Sequence, residues 1–168
     1  MKHDFIIKAI GFWALLSMTF SMADAAIPKP QKASKMERQI GGMAGPGFSL
    51  LNLTRKEAKS GKTERLVFSI GDRDGNTLKG RPGYFNAQNQ GRRIVLDFSQ
   101  MAYSRLSEDT VRDLMKGSKL VKSVKMMKDP HDQTLTVVLD FKSPVKMRTL
   151  QVKGEKQTAQ VILDIMKR

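Results

Sequence analysis

Four stretches of this sequence alternate apolar and polar residues with a period of two, and that pattern commits the chain to half-buried β-strands. In Arg65–Ile70 one face takes Leu66, Phe68 and Ile70. In Arg93–Phe98 it takes Ile94, Leu96 and Phe98. In Thr136–Phe141 it takes Val137, Leu139 and Phe141, and in Gln160–Ile165 it takes Val161, Leu163 and Ile165. β-branched and aromatic residues dominate these runs, as strands prefer. Each such side chain contributes roughly 1.5–3 kcal/mol when buried, so about a dozen supply a plausible core before ordering entropy is subtracted. There is no cysteine. The fold must therefore stand on that core without disulfides.

Weaker strands fill the gaps. Tyr84–Ala87 follows the turn signal Arg81-Pro82-Gly83. Leu120–Met127 offers Val121, Val124 and Met126. Val145–Val152 begins with Val145 and Met147 inward and then changes phase to Leu150 and Val152, which predicts a bulge near Thr149. One short α-helix is predicted, capped by Ser107, with Glu108 and Asp109 at its positive end and Lys116-Gly117 closing it. Its Val111, Leu114 and Met115 share one face and read as a lid on the core.

The order strong strand, weak strand, strong strand occurs twice, once over 65–98 and once over 136–165. Two such units packed face to face make a β-sandwich of two related halves. The expected domain spans 64–168. Residues 26–63 read as a basic flexible linker, because Pro28, Pro30 and the Gly41–Gly47 stretch break regular structure and scattered Lys and Arg oppose collapse. Within it, Phe48–Leu53 is too apolar for a pure tether. It reads either as a segment packed on the domain or as a docking tail for a partner.

The N-terminus has the order of a secretory signal: Lys2 and Lys8, then an apolar run over Ala9–Phe20, then small residues. Cleavage is expected after Ala23 or Ala25, giving a signal peptide over 1–25. The run is about a dozen residues, short of the roughly 20 that span a bilayer, so no membrane span is expected after cleavage. Lys2 and Lys8 balance Asp4 and Asp24, so the mature chain keeps the full formal charge of +14. Such a chain is drawn to polyanions. Beyond the inner membrane these are wall carboxylates and phosphorylated lipids or polymers, and no nucleic acid is expected as a partner. A solvated basic surface without a specific partner is the alternative.

At Arg93–Phe98, at Leu135–Val145 with its Ser143-Pro144-Val145 turn, and at Val161–Ile165, the sequence resembles the AMIN domain family. The resemblance covers about 64–167. It implies a compact periplasmic β-sandwich that binds peptidoglycan. It also implies an amidase, pilus or secretin component as a further partner. Neither usual companion domain accompanies it. No enzyme activity, cofactor or metal is expected, since the mature chain holds a single histidine, His131, and zinc hydrolysis needs about three ligands.

Alternation also defines outward residues. Arg65, Arg93, Asp97, Asp140, Arg148 and Asp164, with Tyr84 as a stacking group, are the candidate peptidoglycan-binding residues. Carboxylates accept sugar hydroxyls, guanidinium groups pair with peptide carboxylates, and intervening Val and Ile meet sugar rings. The alternative is that the Asp–Arg pairs merely stabilise the sheets. The basic run from Lys116 to Lys128 reads either as a contact for anionic polymers or lipids, or as an edge that resists aggregation.

Overall fold

The computed structural model describes residues 36–168. The expected signal peptide and the start of the expected linker lie outside them. Ten strands and one helix follow in order: β1 (Glu37–Gly41), β2 (Phe48–Glu57), β3 (Thr63–Asp72), β4 (Phe85–Asn89), β5 (Arg93–Phe98), β6 (Met101–Ser104), α1 (Glu108–Met115), β7 (Val121–Lys128), β8 (Leu135–Phe141), β9 (Val145–Val152) and β10 (Ala159–Lys167). They form two five-stranded sheets, ordered β1-β4-β5-β8-β7 and β6-β2-β3-β10-β9. The described residues form a β-sandwich with one short helix.

The four alternating segments supply the centre of both sheets. Leu66, Phe68 and Ile70 of β3 and Val161, Leu163 and Ile165 of β10 are buried against Ile94, Leu96 and Phe98 of β5 and Val137, Leu139 and Phe141 of β8. Phe68 and Phe98 meet across the layers with ring centroids 5.2 Å apart. Each half does not form its own layer, as a simple stacking of the two repeats would require. The strong strand β3 lies in one sheet and its hairpin β4–β5 in the other. The second repeat mirrors this: β8 lies with β5, and its hairpin β9–β10 lies with β3. The halves are interlocked rather than stacked.

The linker reading of 26–63 is corrected from Glu37 onward. β1 pairs antiparallel with β4, and β2 lies between β3 and β6. Phe48, Leu50 and Leu53 are buried core residues, so Phe48–Leu53 packs on the domain. A register shift between Leu50 and Asn52 puts Leu51 in a bulge, which is why the inward residues Leu50 and Leu53 are three apart. Gly42 follows β1 at φ +92°, and a Cβ there would lie 2.1 Å from the Gly83 carbonyl oxygen. Glycine is therefore required at that turn.

The bulge expected near Thr149 is absent, because β9 pairs with β10 without interruption from Val145 to Val152. Thr149 stays in the inward phase and Leu150 turns outward. The Thr149 backbone N–H and Oγ1 both donate to Gln39 Oε1 on β1, at 2.6 and 2.7 Å. The Gly42 N–H donates to Gln151 Oε1 at 3.0 Å. β1 thus seals the free edge of the opposite sheet, which removes a template for strand pairing. A register shift does occur in β7, between Val121 and Ser123, and accounts for the three-residue spacing of Val121 and Val124.

At the other edge α1 follows β6 and packs against β7 and β2. Ser107 caps it by accepting the Thr110 N–H, and Val111 and Met115 are buried. Glu108 Oε2 accepts the edge N–H of Met126 at 3.0 Å. Below the helix, Glu64 is fully buried. It accepts the Lys119 and Leu120 N–H groups at 2.9 and 3.1 Å and faces Ser118 Oγ at 2.8 Å. Arg55 Nη1 stands 3.5 Å from it, and Arg55 Nε donates to the Leu114 carbonyl. One carboxylate therefore ties β3 to the connection between α1 and β7. Among the described residues no helix is long and apolar enough to cross a membrane.

Candidate functional site

Because the halves interlock, the outward residues fall on two opposite surfaces. Arg65, Asp164 and Arg148 lie on the β2-β3-β10-β9 surface. Arg93, Asp97 and Asp140 lie on the β4-β5-β8-β7 surface. Tyr84 directly precedes β4, is half exposed, and accepts the Ser99 N–H through its carbonyl. The seven residues do not form one site.

On the β5·β8 surface the polar groups satisfy one another. Arg93 Nε donates to Asp140 Oδ1 at 2.7 Å, and Ser123 Oγ to Asp140 Oδ2 at 3.2 Å. The Arg93 hydrogen bond holds the Asp140 carboxyl below the usual carboxylate range. Asp97 accepts Thr136 Oγ1 at 2.7 Å and Asn86 Nδ2 at 3.5 Å, and Asn86 Oδ1 in turn accepts Arg38 Nε at 2.8 Å. Val95 and Val138 face each other between these two networks. Each aspartate accepts two hydrogen bonds from within the sheet, which uses about half of the lone-pair positions a carboxylate has.

The β3·β10 surface is differently composed. Arg65 grips Asp164 with two bonds, Nε to Oδ1 at 2.6 Å and Nη2 to Oδ2 at 2.8 Å. The partnership keeps the Arg65 guanidinium firmly charged. The register sets Lys56, Arg65, Asp164 and Arg148 side by side across β2, β3, β10 and β9. Three cations thus share one row with a single carboxylate. Arg148 is exposed, and among the described residues it meets no carboxylate at ion-pair distance. The next row holds Thr54 and beside it an apolar strip of Val67, Ile162 and Leu150, of which Val67 and Leu150 are half-buried and Ile162 is buried. A shallow groove of about 310 Å³ opens beside Arg65 and Asp164, walled by Lys56, Glu57, Ala58 and Thr63. Glu57 is committed to Lys119 at 2.7 Å, and that bond holds its carboxyl below its ordinary value.

A row of cations beside an apolar strip can hold a ligand that carries a carboxylate next to a ring. Guanidinium pairs bidentately with carboxylate, and the strip covers the ring's apolar face. Alternation found Arg65, Asp164 and Arg148. It missed Lys56, because the bulge at Leu51 hides the strand that carries it. It also missed Arg38 on β1 and Ser123 beyond the β7 register shift. Among the described residues, no group of three or more His, Cys, Asp or Glu side chains is placed to hold a metal ion. No protein-family model and no curated protein sequence matches this chain.

Proposed function

We propose that this protein is a non-catalytic cell-envelope protein, exported to the periplasm, that binds peptidoglycan through an AMIN-like sandwich and so anchors or targets itself to the wall. The observation that carries the reading is the β3·β10 surface, where Arg148, Lys56 and the Arg65–Asp164 pair border the strip of Val67, Ile162 and Leu150. Stem-peptide carboxylates match the cations, and glycan rings match the strip. The β5·β8 surface, with Arg93, Asp97, Asp140 and Tyr84, is proposed as a weaker contact because its row of Arg93, Asp140 and Ser123 holds one cation where the β3·β10 row holds three.

The alternative is a periplasmic scaffold in which the sandwich docks onto a type IV pilus, secretin or division complex with Phe48–Leu53 as its tail. That segment is an interior strand, so the docking body would be the sandwich without the tail.

Pelleting with purified sacculi tests the proposal. A charge-assisted hydrogen bond is worth about 1.5–3 kcal/mol, so Arg65→Gln combined with Arg148→Gln should weaken binding by at least about tenfold. Arg93→Gln should weaken it by less. Undiminished pelleting of a folded Arg65/Arg148 double variant would reject the β3·β10 surface as the site.

A further inference from the structure

The cations are distributed unevenly between the two ends of the sandwich. One end is built from the β2–β3 hairpin, the β4–β5 turn, the crossing from β8 to β9, the link from α1 to β7, and the last residues of β10. Backbone bonds knit these segments together: the Lys167 N–H donates to the Lys62 carbonyl at 2.9 Å, Val145 to Gly91 at 2.9 Å, and Lys142 to Leu120 at 3.0 Å. This end presents Lys59, Lys62, Arg92, Lys142, Lys146 and Lys167, all exposed. Among the described residues none of the six has a carboxylate at ion-pair distance.

The acidic side chains near this end are already engaged. Glu57 bonds Lys119, Asp113 bonds Lys116, Asp140 bonds Arg93, and Glu64 is buried beside Arg55. At the opposite end Asp72, Asp74, Asp129, Asp132 and Glu155 are interspersed with Arg73, Lys79, Arg81, Arg105, Lys128, Lys153 and Lys156, so seven cations stand among five carboxylates. The molecule therefore has a strongly positive pole and a mixed one.

We propose that the positive pole docks onto the surface of an anionic phospholipid bilayer. Charge complementarity is the first argument. The second is the kind of cation. Five of the six are lysines, spread over separate loops and strand ends, which act as point charges rather than as forks converging on one phosphate. That pattern suits a broad field of headgroups. The third is the absence of exposed aromatic side chains in these loops, which single-stranded nucleic acid would need for stacking. Docked this way, the strands stand along the membrane normal. The β3·β10 and β5·β8 surfaces then face sideways, clear of the bilayer. The inference is independent of what those surfaces bind.

Vesicle flotation of the full chain tests it, using equimolar phosphatidylglycerol and phosphatidylcholine against pure phosphatidylcholine. Anything bound through the N-terminal residues, Lys29, Lys32 and Lys35 included, is common to all variants. The basic-pole variant carries Lys59→Gln, Lys62→Gln, Arg92→Gln and Lys167→Gln. The control carries Lys79→Gln, Arg81→Gln, Lys153→Gln and Lys156→Gln, the same loss of charge at the mixed pole. The wild-type chain should favour the anionic vesicles, and rising salt should abolish the preference. The basic-pole variant should lose at least about thirtyfold in partition, and the control no more than about threefold. Equal losses in both folded variants would reduce the effect to net charge and overturn the proposal. So would equal partition onto both vesicle types. Retention of a single-stranded oligonucleotide through the same four residues, without a vesicle preference, would replace the lipid by nucleic acid.

Discussion

Glu64 is an acidic residue in a fully buried position, and its surroundings explain why it is tolerated. Two backbone N–H groups and the Ser118 hydroxyl converge on its oxygens, with Arg55 close by. Removing it would leave the Lys119 N–H and the Ser118 hydroxyl proton without that acceptor, while the Leu120 N–H keeps Ser118 Oγ at 3.1 Å. Glu64→Ala should therefore destabilise the fold by about 3–5 kcal/mol, read from the denaturant midpoint. Glu64→Gln, which keeps an acceptor, should cost less. None of this was legible beforehand. Glu64 sits at the start of an alternating run, and one sequence gives no sign that the loop after α1 folds down onto it. The outward residues were legible one at a time, since Arg65, Asp164 and Arg148 follow from a period of two. Their division between opposite surfaces was not, because alternation fixes a side of each strand but not the sheet that the strand joins.

At the scale of elements, strands with unbroken alternation were readable and interrupted ones were not. β3, β5, β8 and β10 were legible to within a residue or two at either end. β2 was hidden by its bulge at Leu51, and β1 by the glycines that follow it and by its lack of a fully buried side chain. β6 is four residues long and pairs in parallel with β2, with no local signal of its own. In β9 the apolar residues Leu150 and Val152 imitated a phase change, although both lie on the outward side of the strand. These corrections carry consequences for stability. Leu50→Ala should cost about 2–5 kcal/mol, as for any core leucine, whereas a tether residue would cost almost nothing. Gln39→Ala should cost about 1 kcal/mol, because it leaves the Thr149 N–H at an unpaired sheet edge. Chemical denaturation of each variant measures both.

Several carboxyls across the whole molecule are held below their ordinary values: Glu57 by Lys119, Glu108 by the Met126 N–H, and Asp140 by Arg93. A depressed native value means that the unfolded chain binds protons more readily. The stability these groups contribute is present above about pH 4 and is lost as pH falls through their native values. Melting temperatures should therefore be level near neutrality and fall on acidification below about pH 4. Arg93→Gln should blunt the fall. A different consequence lies in the position of β10. The last strand in chain order is bracketed by β3 on one side and β9 on the other. During synthesis, everything up to residue 158 can leave the ribosome while β3 still lacks its inner neighbour. The sandwich cannot close until β10 has emerged, so the strands made before it stay open along the β3 edge for as long as that segment is missing.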